Sequence, residues 1–299
     1  MSAKIFIDGQ AGTTGLGIAQ RLAAIPAISL VTLDEANRKS PEARAAAMAE
    51  ADLTVLCLPD DAAREAVAMA PKGVRILDAS TAHRTAPGWV YGFPELAPGQ
   101  ARAIAEAQFV ANPGCYATGA IALLAPLIGA GVLSADMPVS INAVSGYSGG
   151  GKAMIAEHER DGGPAFELYA LGLKHKHIPE IMACAGLTQR PLFVPSVGHF
   201  AQGMLVSIPL GLGGRQAETL RETLAAHYAG CRYVRVAPEL WQDNLRPDAL
   251  NGTNLLEIFV AAHQEAGHAV LIARLDNLGK GASGAAVQNI RLMLGMKDE

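Results

Sequence analysis

Apolar residues in this chain fall into short unbroken runs separated by stretches with helical spacing. Ile5, Phe6, Ile7 and Asp8 read as a first strand, and Leu16, Ala19, Leu22 and Ala23 follow at helical spacing. Residues 29–33 read as a second strand and residues 42–51 as an alanine-rich helix. Residues 53–58 form a continuous apolar strand ended by Pro59. A helix over 61–70 and a strand over 74–77 come next. Continuous apolar strands between helices imply a parallel sheet covered on both faces. The pattern then changes. After a short strand over 109–111 and a helix over 116–128, strands are predicted over 139–144, 205–210, 233–236, 255–262 and 269–275. Gln264-Glu265-Ala266-Gly267-His268 makes a hairpin-length connection between the last two, so mostly antiparallel pairing is expected here. A closing helix is expected from 278 to 294.

Composition narrows the functional class. Half of the 299 residues are hydrophobic, 17% are charged, and the formal net charge is −4. A nucleic-acid or membrane-surface binder needs a basic face, so neither partner is expected. No apolar run reaches the length of a membrane span. The first strand begins almost at once, which leaves no room for a signal peptide. Cys57, Cys115, Cys184 and Cys231 are widely spaced, with no CxxC pair, so neither a zinc site nor a disulfide framework is expected. A reduced, cytoplasmic setting is the simplest expectation.

Candidate chemistry concentrates in a few segments. Asn112-Pro113-Gly114-Cys115-Tyr116-Ala117-Thr118 places a thiol at a turn-to-helix junction. The open N–H groups and positive dipole end of a helix favour thiolate, the nucleophilic form. Gly9, Gly12 and Gly15 follow the first strand and open the first helix, with Thr13 and Thr14 as added donors. Such a turn lets backbone N–H groups approach a pyrophosphate. After the second strand, Asp34 and Glu35 suit ribose hydroxyls, whereas Arg38 and Lys39 suit a 2′-phosphate. Arg84, in Asp78-Ala79-Ser80-Thr81-Ala82-His83-Arg84, suits an anion clamp. Ser145 and Gly146 begin a glycine-rich loop where a ligand can approach the backbone closely. Lys174-His175-Lys176-His177-Ile178-Pro179-Glu180 supplies a general base. His199 is a rival base. Asp276 to Asn289 holds Asn277 and three glycines that would weaken an ordinary helix start.

Together these segments resemble the shorter, second type of the N-acetyl-γ-glutamyl-phosphate reductase family, across residues 4–294. Asn112 to Thr118, His175 to Glu180 and Asp276 to Asn289 carry the resemblance. The glycine loop and the Trp89-Val90-Tyr91-Gly92-Phe93-Pro94-Glu95 stretch strengthen it. The wider superfamily includes aspartate-semialdehyde dehydrogenase. The resemblance implies an α/β protein with a Rossmann-type NADP-binding domain over 1–115, completed by a C-terminal helix over 278–299. An α+β catalytic and dimerisation domain would span 116–277. It further implies NADPH as cofactor and a homodimer or homotetramer. Cys115 would be the nucleophile and His175 the acid/base. Gly9, Gly12, Thr13, Thr14, Gly15, Arg38, Ser145, Gly146 and Asn277 would contact the cofactor, and Arg84, Asn112 and His177 the substrate. The expected reaction is reduction of an acyl phosphate through a cysteine thioester. Two alternatives stay open: a sibling reductase for aspartyl or aminoadipyl phosphate, and a non-catalytic dinucleotide sensor.

Overall fold

A computed structural model describes residues 2–239 and 244–296, apart from the Asp161 side chain. The chain forms two compact units. One comprises Met1–Pro94, Gly99–Pro113 and Ala282–Glu299, and the other comprises Glu95–Pro98 and Gly114–Gly281. The division expected after residue 115 therefore falls between Pro113 and Gly114, so Cys115 belongs to the second unit. The chain returns to the first unit at Ala282, four residues beyond the expected 278. The last three residues of the expected C-terminal segment, 297–299, lie outside the described residues.

The first unit is a parallel sheet. Its strands are β1 (Ala3–Asp8), β2 (Ile28–Val31), β3 (Leu53–Leu56), β4 (Ile76–Asp78), β5 (Val90–Tyr91) and β6 (Phe109–Ala111). They lie in the order β2-β1-β3-β4-β6-β5, and every pair is parallel. Helices α1 (Thr13–Ala23), α2 (Pro41–Glu50), α3 (Asp60–Met69) and α4 (Gln100–Glu106) connect them. Side chains alternate across a strand, and β1 shows the result. Ile5 and Ile7 pack with Ile18, Leu22, Leu53, Val55 and Ile290, while Phe6 packs on the opposite face with Met48, Leu56, Ala63 and Ile76. Both faces are thus buried, as the continuous apolar runs require. Ile290 comes from the C-terminal helix Gly284–Met293, which joins this core although it is distant in sequence.

The second unit holds a mixed sheet. Its helices are α5 (Cys115–Gly129), α6 (Gly151–Asp161), α7 (Ile178–Ala185) and α8 (Ala217–His227). Its strands are β7 (Ser140–Gly146), β8 (Phe166–Leu168), β9 (Leu192–Gly198), β10 (Met204–Gly211), β11 (Val234–Val236), β12 (Leu256–His263) and β13 (His268–Leu275). The order is β11-β12-β13-β10-β7-β9-β8, with four antiparallel and two parallel pairings. Helix α5 is buried from Tyr116 to Leu124, which explains its almost wholly apolar sequence.

The closing helix differs from expectation. A π-helical turn over Gly279–Ser283 precedes the α-helix, and Gly281 N–H reaches Asp276 O at 2.9 Å across five residues. Glycines at 279 and 281 allow the wider turn, and such turns recur at functional sites. Among the described residues, no helix is long and apolar enough to cross a membrane.

Candidate functional site

In the first unit the glycine turn after β1 is built as the spacing requires. Gly9 has φ +85°, and a Cβ there would lie 2.4 Å from Cys57 O, so only glycine fits. Gly12 caps α1 without a side-chain hydrogen bond, and Thr13 and Thr14 form the first turn. The helix start is therefore open to an anion. Beside it lies a cavity of 640 Å³ lined by Gly9, Gln10, Ala11, Leu16, Leu33 and Leu58, with Glu35, Arg38, Lys39 and Arg44 among its polar groups. Gly12, Thr13, Thr14 and Gly15 are not among the lining residues.

The conflicting charges after β2 have different fates. Asp34 accepts the Asn37 N–H at 2.8 Å and the Asn37 side-chain amide at 3.1 Å, closing a local turn. Glu35 pairs with Arg38 at 3.1 Å in an exposed position. Arg44, from the alanine-rich helix α2, was not singled out by its sequence context. Its Nε and Nη2 grip Asp8 Oδ2 at 2.9 and 2.7 Å, at the end of β1. Burial pushes the Cys57 thiol up to about 12, with the Asp78 and Asp8 charges adding to the shift.

Arg84 and Asn112 occupy the same unit in a bracing arrangement. Arg84 Nε donates to Asn112 O at 2.9 Å. Asp78 anchors the loop that carries Arg84: it accepts from Ser80 N–H at 2.9 Å and Ser80 Oγ at 2.7 Å, and lies 2.6 Å from His83 Nδ1. Asn112 is 2% exposed; its Nδ2 donates to Ala282 O at 3.2 Å, and its Oδ1 accepts from Asn289 Nδ2 at 3.1 Å. Both ends of this amide are engaged with protein.

The second unit places Cys115 at the first position of α5. Gly114 precedes it and offers no side-chain cap, so the dipole of a long buried helix opens at the sulfur's own turn. Glu180, 1% exposed on α7, accepts the Gly114 N–H at 3.1 Å. Thr118 returns a backbone N–H at 2.8 Å and Oγ1 at 3.0 Å to Gly114 O. The residue before the thiol is therefore held from both sides. Sequence reading took Glu180 as part of a charged stretch; its partner lies 66 residues away.

His175 is brought to the same region. Its ring centroid lies 5.9 Å from Tyr116, 4.6 Å from His177 and 5.0 Å from Phe193. Tyr169 Oη lies 3.4 Å from His175 Nε2. Burial pushes the Tyr116 and Tyr169 phenols well up, and negative charge on Cys115 adds to both shifts. Tyr116 follows the thiol residue directly in the chain, and both tyrosine rings face the imidazole. The His177 N–H donates to His175 Nδ1 at 3.1 Å. That contact requires a bare Nδ1, so the neutral ring carries its proton on Nε2. His177 itself is 5% exposed. His199 has other partners: its Nδ1 lies 2.9 Å from His158 Nδ1, its ring stacks on that of His158, and His158 in turn stacks on Tyr147. The two histidine options are separated by their partners.

Ser145, Gly146 and Asn277 are brought together. Asn277 Oδ1 accepts the Gly203 N–H at 2.8 Å, and its Nδ2 donates to Ser148 Oγ at 2.9 Å. Gly146 N–H donates to Gly203 O at 2.9 Å, and Ser145 lies beside the Tyr116 phenol. Asn277 therefore ties the loop after β7 to the turn before β10.

Comparison with known proteins follows the same division. Residues 20–104 match the family model for the semialdehyde dehydrogenase NAD binding domain, and residues 115–277 match that for the dimerisation domain. An N-acetyl-gamma-glutamyl-phosphate reductase 2 of Pseudomonas putida is 55% identical, over 97% of this chain and 96% of its own length. An N-acetyl-gamma-glutamyl-phosphate reductase of Trichormus variabilis is 51% identical, over 99% and 98%. Among solved structures, aspartate semialdehyde dehydrogenase II of Vibrio cholerae aligns with a TM-score of 0.71 at 15% identity, covering 99% of each chain. The Candida albicans enzyme with NADP aligns at 0.65 and 14%, covering 98% of each.

The thiols are expected to react unequally. Burial pushes Cys57 and Cys184 up to about 12, so at pH 8 a fraction on the order of 10⁻⁴ is thiolate. Iodoacetamide followed by peptide mass mapping is expected to label Cys115 first. Labelling of Cys57 or Cys184 at the same rate would contradict the site.

Proposed function

We propose, from the premise that the chain belongs to the N-acetyl-γ-glutamyl-phosphate reductase family of semialdehyde dehydrogenases, that it reduces N-acetyl-L-glutamyl 5-phosphate to the 5-semialdehyde and releases phosphate. The reaction is a step of arginine biosynthesis. The observation that carries this reading is Cys115 at the N-terminus of α5, with the His175 ring edge-on to the next residue, Tyr116, at 5.9 Å between centroids. A sensor needs a nucleotide cavity but has no use for a thiol so placed.

Cys115 thiolate attacks the acyl carbonyl, the carbon–oxygen bond to phosphate breaks, and a thioester forms on the sulfur. The first-turn N–H groups of α5 favour both the thiolate and the tetrahedral oxyanion. His175 donates a hydrogen bond from Nε2 to that oxygen. Delivery of a full proton needs the imidazolium, whose Nδ1–H displaces the His177 N–H contact. A bound nicotinamide dinucleotide supplies the hydride that takes the thioester to the aldehyde level. Breaking the carbon–sulfur bond then returns the thiolate.

The cavity beside Gly9 fits such a cofactor. Leu16, Leu33 and Leu58 give an apolar wall, and α1 offers its N-terminus to a pyrophosphate. Asp34 is engaged with Asn37, and the lining sets Arg38, Lys39 and Arg44 against Asp8 and Glu35, which pair with Arg44 and Arg38. Lys39 is then the lining cation that supports a 2′-phosphate, hence NADP over NAD. Arg84 and Asn112 act as positioning residues, and Asn277 as a tie for the loop carrying Ser145 and Gly146. His177 orients His175. A second copy of the chain is the partner, giving a homodimer or homotetramer. Phe166, Leu168 and Leu192 are 57%, 48% and 48% exposed near one sheet edge, and a groove of 500 Å³ is lined by Val144, Leu205, Val270 and Ile272. A reducing cytoplasm suits a catalytic thiol.

The direct assay runs in reverse: phosphate-dependent reduction of NADP⁺ by N-acetylglutamate semialdehyde. Activity is expected with this aldehyde and is expected to vanish in Cys115→Ser. Higher kcat/KM for the aspartate or aminoadipate analogue would assign a sibling reductase, and no turnover with any aldehyde would favour the sensor.

Two replacements at His175 separate its roles. His175→Ala is expected to lower kcat by about 10²–10⁴. His175→Gln keeps a donor near Nε2 and is expected to retain at least about tenfold more activity if hydrogen-bond donation dominates. Equal loss in both variants would make full proton transfer the essential role.

A further inference from the structure

One buried ion pair in the second unit stands apart from the groups assigned above. Lys280 Nζ lies 2.9 and 2.8 Å from the two Glu95 carboxylate oxygens, with side-chain exposures of 1% and 6%. The same Nζ lies 5.4 Å from the Tyr233 ring centroid. Glu95 belongs to the short stretch Glu95–Pro98 that packs with this unit, and its carbonyl receives His227 Nε2 at 3.1 Å. In sequence, Lys280 stands between Gly279 and Gly281.

Lys280 sits in the π-helical turn Gly279–Ser283. The next residue, Gly281, packs directly on the thiol residue: a Cβ there would lie 2.9 Å from Cys115 Cβ and 3.3 Å from Cys115 Cα. The preceding end of the turn is fixed independently. Asp276 accepts from Gln202 Nε2 at 2.7 Å, Gly252 N–H at 2.8 Å and Leu278 N–H at 2.9 Å. The Glu95–Lys280 pair anchors the second residue of the turn, next to Gly281.

A buried ion pair is a poor source of stability, because desolvation offsets most of its attraction and an apolar replacement is often neutral. What it supplies is a single arrangement, since both charges tolerate few alternatives to one another. We propose that Glu95 and Lys280 are a positioning pair for Cys115. They hold the π-helical turn so that Gly281 backs the Cα and Cβ of the thiol residue and fixes its direction at the start of α5. This inference rests on Cys115 being the reactive thiol.

The test compares Glu95→Leu/Lys280→Met, Gly281→Ala and the parent protein. Three quantities are read: the thermal unfolding midpoint, the rate of iodoacetamide alkylation at Cys115 against pH, and kcat with KM in the reverse assay. The double variant is expected to unfold cooperatively near the parent midpoint. Its Cys115 alkylation is expected to fall about tenfold at pH 8, with the pH profile moved upward, because a displaced sulfur loses the helix field. Its kcat is expected to fall in step while KM holds. Gly281→Ala leaves both charges in place and is expected to give the same signature. A folded double variant with the parent alkylation profile and kcat would overturn the proposal. So would an unfolded one, which would make the pair a stability element. Loss of the reductase reading would appear separately, as full turnover in Cys115→Ser.

Discussion

The hydrogen bond from Gly114 N–H to the buried Glu180 carboxylate is the contact on which the site depends. A helix start leaves backbone N–H groups without intrahelical partners, and a serine or aspartate cap would satisfy one of them. Gly114 supplies no such cap. The helix field is thus left for the thiol while the turn before it is still held firmly. Glu180 does the holding from α7, and Thr118 does it from within α5. A capping side chain would hold the turn as well, but it would occupy the donors a thiolate or oxyanion needs.

Much of the rest follows from presenting one sulfur in one direction. Helix α5 is buried almost throughout, so its first turn cannot drift. Gly281 closes on the back of Cys115, and Tyr116 carries the aromatic contacts to His175 and His177. Tyr116 Oη is itself fixed, donating to Ser196 O at 2.8 Å. The first unit is organised around a different need, a cavity whose lining, among the described residues, carries both paired and unpaired charge beside an open helix start.

The sequence was informative where a single residue's neighbours in the chain decide its role. Continuous apolar runs located β1, β3 and β6, because both faces of that sheet are covered. The glycines at 9, 12 and 15 and the thiol at a helix start are local signals. Tertiary partners were not legible. Strand β8 is exposed at all three positions, so it carries no alternation. Asp34 and Arg38 looked like rival cofactor contacts until Asn37 and Glu35 appeared as their partners. Glu180 and Lys280 are both buried against residues far away in the chain, and nothing in their local sequence names those partners. The closing segment read as one helix, but its first turn is π-helical because glycine there allows close approach to Cys115.

The central claim is that Cys115 carries the acyl group. Incubation with acyl phosphate in the absence of any nicotinamide nucleotide, followed by acid quench and intact-mass analysis, tests it most directly. The account predicts one acyl adduct per chain, mapped to Cys115 and accompanied by one equivalent of phosphate. Stoichiometric adduct on another residue, or turnover with nucleotide but no adduct at Cys115, would contradict it.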